Sequence, residues 1–292
     1  MPTVDHLLYD VFTDTPFTGN PLAIAVDPPA LSDAQMQTMA KELNLSETVF
    51  LTTGGADGVV TRIFTPAVEL PFAGHPTIGA ALALADLGLT SGPVTLLEQV
   101  GPIEVAVDDG FASLTTAGPP TSVDVADPED VIRSLGLELS DLHSSLGVRG
   151  WSVGGPFTVL TVRDVETLGR CQVDLSWWRD TMAHTAAPDI YVLAPVDPGQ
   201  RVDARAWRAR MFAPALGIGE DPATGSAAAA TCGYLAGHAS PERLAEGWVI
   251  EQGVEMGRPS EIHVGAVLRG PELVAATVGG RAVRVGAGSM DL

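Results

Sequence analysis

The chain has 292 residues, with 36 Asp and Glu against 16 Lys and Arg, a formal net charge of −20, 46% hydrophobic and 18% charged residues. So acidic a surface repels nucleic-acid phosphates and anionic lipid headgroups, and the apolar fraction suits a packed globular chain of one large or two medium domains. No apolar run reaches the roughly 18 residues of a bilayer span, and the N-terminus lacks a basic region followed by an apolar stretch, so a cytoplasmic chain with no nucleic-acid and no membrane partner is expected.

In chain order, Leu31 to Leu43 is helical in pattern and carries Lys41, the single lysine, which leaves little scope for a pyridoxal Schiff base. A strand is predicted over Thr48 to Thr52 and an alternating one over Val59 to Phe64. His75 to Leu87 then reads as a helix stopped by Gly88, followed by strands at Val94 to Leu97, Ile103 to Val107 and Phe111 to Thr115. Turn formers cluster at Gly118-Pro119-Pro120-Thr121, the predicted linker. Beyond it come a strand at Arg205 to Phe212, a helix at Ala223 to Leu235 ended by Gly237, and strands at Trp248 to Gln252, Ile262 to Val267, Leu273 to Val278 and Ala282 to Val285.

This order repeats. Arg62-Ile-Phe-Thr-Pro-Ala-Val68 returns as Arg210-Met-Phe-Ala-Pro-Ala-Leu216, 148 positions on; His75-Pro-Thr-Ile-Gly79 aligns with Asp221-Pro-Ala-Thr-Gly225, 146 positions on. Leu97-Glu-Gln-Val100 returns as Ile250-Glu-Gln-Gly253, 153 positions on. A period of half the chain means duplication, not a solenoid. Both helices are apolar almost all round, as a helix enclosed by its own sheet would be. The fold class is therefore α+β: two pseudo-symmetric domains, residues 1–118 and 122–280, each a curved, mostly antiparallel or mixed barrel-like sheet around a central buried helix. The membership of residues 281–292 is left open.

Each repeated turn leads into a buried helix whose first amides have no intrahelical partner, a place suited to a carboxylate or a developing enolate. Proline, threonine and aspartate there are also ordinary capping devices. Two related turns, one with His75 and the other with Asp221, favour a functional reading in which the two helix starts share one interdomain cleft. Glu47, between the first helix and its strand, reads equally as a solvated carboxylate or as a general base.

The segments Asp10-Val-Phe-Thr-Asp-Thr-Pro-Phe-Thr-Gly-Asn-Pro-Leu-Ala23, Glu42-Leu-Asn-Leu-Ser-Glu-Thr-Val-Phe50, Phe72-Ala-Gly-His-Pro-Thr-Ile-Gly79, Gly219-Glu-Asp-Pro-Ala-Thr-Gly-Ser226, Glu251-Gln-Gly253 and Val278-Gly-Gly280 resemble the successive signatures of the PhzF-like (phenazine biosynthesis) isomerase family. The resemblance implies a diaminopimelate-epimerase-like fold, a homodimer, no cofactor, and a small-molecule carboxylate substrate isomerised as a dihydro-hydroxyanthranilate is. It implies Glu47 as the proton shuttle, with His75 and Asp221 assisting the transfer. It also implies Ser226 and the Gly74, Thr224 and Gly225 turns as substrate-holding groups, with Asn20 and Ser46 near the pocket.

Two alternatives stand beside it. Racemases on the same fold pair one cysteine from each half, and neither repeated turn here holds one, since Cys232 lies inside its helix and Cys171 elsewhere. A non-catalytic protein that keeps the cleft for ligand binding is the other. His6, His143, His184, His238 and His263 are scattered without metal-ligand spacing. Gly217-Ile-Gly219 lacks the lysine of a phosphate loop, and Trp177-Trp178 reads as packing.

Overall fold

In the computed structural model, which describes residues 2–197 and 199–292, the chain begins with β1 (Thr3–Val11), β2 (Asn20–Val26), α1 (Asp33–Leu43), β3 (Glu47–Gly55), β4 (Gly58–Phe64) and β5 (Glu69–Leu70). Then come α2 (Gly74–Asp86), β6 (Val94–Glu98), β7 (Gly101–Asp108) and β8 (Phe111–Thr115). The later chain forms β9 (Thr121–Val123), α3 (Pro128–Ser134), β10 (Arg149–Val153), β11 (Gly155–Thr161), α4 (Val165–Arg170), α5 (Leu175–Thr181), β12 (Asp189–Pro195) and β13 (Ala206–Ala213). It ends with β14 (Ile218–Asp221), α6 (Gly225–Ala236), α7 (Pro241–Glu246), β15 (Trp248–Gln252), β16 (Ser260–Arg269) and β17 (Glu272–Asp291).

Two compact units result, residues 1–115 with 279–292, and residues 116–278. In the first, β1 pairs with β2, β2 with β3 in parallel, β3 with β4, β4 with β6 in parallel, and then β6 with β7 and β7 with β8. β8 pairs with β17, and β17 with β1, so the strands close into a ring of eight with no free edge. Inside it lies α2, buried from Gly74 to Leu84. Met36, Met39 and Ala40 of α1 pack with Phe50 and Phe64 on the opposite face of the sheet.

The second unit repeats these pairings: β10 with β11, β11 with β12 in parallel, β12 with β13, β13 with β15 in parallel, and β15 with β16. Its enclosed helix is α6, and α3, α4 and α5 supply the outer core around Val131, Leu168, Trp178 and Phe212. The helices α3 to α5 and the strands β9 to β12 have no counterpart among the predicted elements, because short segments carry too little periodicity to declare themselves.

Three sequence expectations change. The third repeat block shifts by one residue, because Val60 pairs with Leu97 and Arg208 with Glu251, which makes Gln252 rather than Glu251 the counterpart of Glu98. The strands predicted on either side of Gly279-Gly280 are one strand, β17, because Gly279 passes so near the Ala112 carbonyl that a Cβ would sit 2.6 Å from its oxygen. The alignment of His75 with Asp221 also shifts. Each unit has an arginine on equivalent strands, β4 and β13, bound bidentately to a glutamate on the next, Arg62 with Glu69 and Arg210 with Glu220. Glu69-Leu-Pro-Phe-Ala-Gly-His75 therefore corresponds to Glu220-Asp-Pro-Ala-Thr-Gly-Ser226, and both helices start at the glycine of that pattern. His75 is the counterpart of Ser226, whereas Asp221 ends the short strand before its helix.

Candidate active site

Glu47 opens β3 where α1 ends on Asn44 in the left-handed conformation (φ 50°), one of the few non-glycine residues that adopts it readily. Side chains alternate along a strand, so with Phe50 committed to the α1 side, Glu47, Val49 and Leu51 share the face toward α2. There Glu47 Oε2 lies 2.9 Å from His75 Nδ1, their side chains only 14% and 5% exposed. The distance is that of an ion pair when the imidazole is protonated, but the angles are not those of a hydrogen bond, and His75 Nε2, also buried, has no hydrogen-bond partner among the described residues. Asn20, buried at the start of β2, lies two residues before Leu22, the parallel partner of Glu47. Ser46 directly precedes Glu47 and is half-buried.

The start of α2 is unusual in this chain. Helices α1, α3, α4, α5 and α7 begin at Ser32, Asp127, Asp164, Asp174 and Ser240, whose side chains accept a first-turn amide. The N-cap residues of α2 and α6 are Ala73 and Thr224, and neither side chain caps its helix. Alanine has nothing to offer, and the Thr224 hydroxyl donates to Asp221 Oδ2 instead. First-turn amides at Gly74, His75, Gly225 and Ser226 thus receive no side-chain cap, and the positive end of each helix dipole is left to whatever binds there.

Around Asp221 the second unit builds a buried amide clamp. Gln252 Nε2 donates to the Asp221 carbonyl at 2.8 Å and to Thr224 Oγ1 at 3.1 Å, while its Oε1 accepts from Thr224 N–H at 3.2 Å and from the Tyr191 hydroxyl at 2.9 Å. Burial, with the nearby Asp221 charge, holds the Tyr191 hydroxyl well above its usual pKa, so it stays a donor. Gly253 (φ 78°) completes the clamp, since a Cβ there would lie 2.6 Å from the Pro222 carbonyl oxygen.

Each unit thus gathers its own set: Asn20, Ser46, Glu47, Gly74 and His75 in the first, Asp221, Thr224, Gly225 and Ser226 in the second. Sequence reasoning missed Tyr191 and the role of Gln252, although Gln252 stands in a quoted motif. It also missed Asp189. Thr48 faces Phe64 and Ile190 faces Phe212, so Asp189 begins β12 at the register that Glu47 holds on β3. The two Arg-x-Phe strands could have revealed this. Asp189 is buried, accepts from Ala215 N–H at 3.2 Å, and is raised to about 6 by desolvation. Both cysteines are buried and pushed up to about 12, which suits neither for thiolate chemistry near neutrality. Among the described residues no group of three or more His, Cys, Asp or Glu side chains is gathered as a metal site requires.

The family model described as phenazine biosynthesis-like protein (PhzC-PhzF) matches residues 9–288. An uncharacterized isomerase of Mesorhizobium japonicum is 39% identical over 99% of both chains, and the trans-2,3-dihydro-3-hydroxyanthranilate isomerase of Pseudomonas fluorescens is 34% identical, again over 99% of both. Among solved structures, the Bacillus anthracis phenazine biosynthesis protein of the PhzF family is 25% identical with a TM-score of 0.88 over the whole of both chains. A hydroxyproline epimerase from Agrobacterium vitis shares the fold at 15% identity, with a TM-score of 0.58 over 99% of this chain and 93% of that one.

Proposed function

Because the chain belongs to the phenazine biosynthesis-like (PhzC-PhzF) family and is an isomerase of it, we propose that it moves a proton between two carbons of one small unsaturated or cyclic carboxylic acid, with Glu47 as the shuttle and no cofactor. The observation that carries this reading is the pairing of Glu47 with His75 at 2.9 Å, nearly enclosed, at the start of an uncapped helix. As carboxylate, Glu47 takes a proton from an activated carbon, and the C–H electron pair enters the conjugated system and shifts its double bonds. As carboxylic acid, it returns the proton to another carbon of the same molecule. Substrate and product are isomers, so no oxidant or reductant is consumed.

His75 orients Glu47 through Nδ1 and keeps Nε2 for a polar group of the substrate. The amides of Gly74 and His75 would hold a substrate carboxylate and stabilise charge on the conjugated system. Asp221, oriented by Thr224 and Gln252, assists the protonation steps, with Thr224, Gly225 and Ser226 as hydrogen-bonding groups for the substrate and Asn20 and Ser46 as lesser ones. The compound in the names of the Pseudomonas relatives, a dihydro-hydroxyanthranilate, is of the proposed chemical class.

The test uses trans-2,3-dihydro-3-hydroxyanthranilate in deuterated water, followed by mass spectrometry. Glu47→Gln keeps the shape but cannot accept a proton, so it should bind as the wild type does and lose at least about a hundredfold in turnover. Wild-type turnover in Glu47→Gln would pass the shuttle role to His75 or Asp221. A wild-type protein that binds small unsaturated carboxylates yet exchanges no proton would be a binding protein.

A further inference from the structure

Glu98, the last residue of β6, is one of the buried ionisable groups in the first unit that the proposed chemistry leaves unused. It is 7% exposed. Its Oε1 lies 2.6 Å from Thr77 Oγ1, in the first turn of α2, and Thr77 Oγ1 also lies 2.7 Å from the carbonyl oxygen of Ala73, the N-cap residue. A hydroxyl has one proton and cannot donate to both, and a carbonyl can only accept. Both contacts are satisfied when Thr77 donates to Ala73 and Glu98, as a neutral carboxylic acid, donates to Thr77. Glu98 Oε2 is buried without a hydrogen-bond partner among the described residues. A neutral carboxyl oxygen tolerates that far better than a carboxylate does.

The second unit supports this reading. At the corresponding strand end, the last residue of β15, stands Gln252, whose neutral amide donates to Thr224 Oγ1 at the start of α6. The adjoining strand pairs are in matching register, Val60 with Leu97 and Arg208 with Glu251, so Glu98 and Gln252 are structural counterparts. Each unit thus sets the side chain at this strand end against a threonine near the head of its enclosed helix, Thr77 in the first turn of α2 and the N-cap Thr224 of α6.

We propose that Glu98 is a positioning residue that works as a neutral acid: protonated, it leaves the Thr77 hydroxyl to Ala73 and so holds the first turn of α2 and His75 in place, and ionised, it draws the Thr77 hydroxyl proton away from the Ala73 carbonyl to itself and sets a negative charge against the helix end that receives the substrate carboxylate. The last clause rests on the proposed role of the α2 amides. Desolvation raises the Glu98 pKa to about 7, so the change falls near neutral pH. The ionisable groups on the elements around it are engaged elsewhere: His75 with Glu47, Asp86 with Tyr9, Arg62 with Glu69 and Asp33, and Glu104 with Thr95. Asp108 of β7 is exposed to solvent.

Glu98→Gln copies both the neutral state and the residue of the second unit. Infrared difference spectra of the wild type against Glu98→Gln should show one protonated carboxyl at about pH 6 that is lost with a midpoint near pH 7. The ring resonances of His75 should step at that midpoint in the wild type only. Affinity for 3-hydroxyanthranilate, the aromatic analogue, should weaken about tenfold between about pH 6 and about pH 8 in the wild type and stay level in Glu98→Gln. A Glu98 carboxyl already ionised at about pH 6, or a His75 step that persists in Glu98→Gln, overturns the proposal whether or not that compound binds. Glu47→Gln should leave the Glu98 titration intact, so failure here and failure of the Glu47 shuttle are separate results.

Discussion

Glu47 and Asp189 open β3 and β12 in the same register, yet their surroundings differ. Glu47 has an imidazole at 2.9 Å, whereas Asp189 has one backbone amide and a buried setting that favours its neutral form. That difference carries a stability prediction. Unfolded, Asp189 titrates near the ordinary aspartate value; folded, near 6. A folded pKa above the unfolded one means that the native state binds the extra proton, so stability falls as pH rises between the two values and is level outside them. Asp189→Asn keeps the acceptor for Ala215 and has no proton to lose. Relative to the wild type it should gain about 3 kcal/mol between about pH 4 and about pH 6, at about 1.4 kcal/mol per pH unit. Urea denaturation at several pH values measures this. A wild-type-minus-variant difference that does not change with pH would show that Asp189 is ionised in the fold.

At the scale of elements, α2 and α6 differ from the other helices in both ends of their design. They have no side-chain cap, and glycines on their flanks let strands approach closely. A Cβ on Gly79 would lie 2.5 Å from Leu22 Cδ2 and 2.8 Å from Val11 Cγ2, methyl groups of aliphatic side chains rather than a ring or backbone. A Cβ on Gly233 would lie 2.4 Å from Trp151 Cε3, in a rigid ring. Alanine in place of glycine favours a helix by about 1 kcal/mol, while forced overpacking costs about 1–3 kcal/mol. Gly79→Ala should therefore be near neutral in thermal denaturation, and Gly233→Ala should lose about 1–2 kcal/mol. Equal losses in the two variants would mean that the ring at Trp151 yields as easily as the leucine does.

For the whole molecule, the net charge of −20 is the dominant long-range term. Like charges repel one another most in the compact state, and the screening length shrinks from about 30 Å at 0.01 M salt to about 10 Å at 0.1 M. The melting temperature should rise by several degrees over that range, each kcal/mol being worth about 2–4 °C for a chain of this size. A melting temperature that falls with added salt would show that attractive surface pairs such as Arg243 with Glu246 outweigh the repulsion.

The duplication was legible in the sequence because Arg62-Ile-Phe64 and Arg210-Met-Phe212 sit on strands whose paired faces restrict what can replace them. Glu47 and His75 were legible as candidates through a motif, and the enclosed helices through the lack of any polar face. What the sequence could not supply is register and partnership. Arg62 reaches Glu69 after seven positions and Arg210 reaches Glu220 after ten, because the second turn contains the extra Gly217-Ile218-Gly219. A proline-based alignment therefore matched His75 with Asp221, and only the ion pairs of the folded sheet show that Ser226 is its counterpart. Similarly, the neutral state of Glu98, the register of Asp189 and the clamp of Tyr191 and Gln252 arise from burial and from contacts between residues far apart in sequence. Desolvation and hydrogen-bond direction depend on which groups meet in space, and those were decided by the tertiary structure.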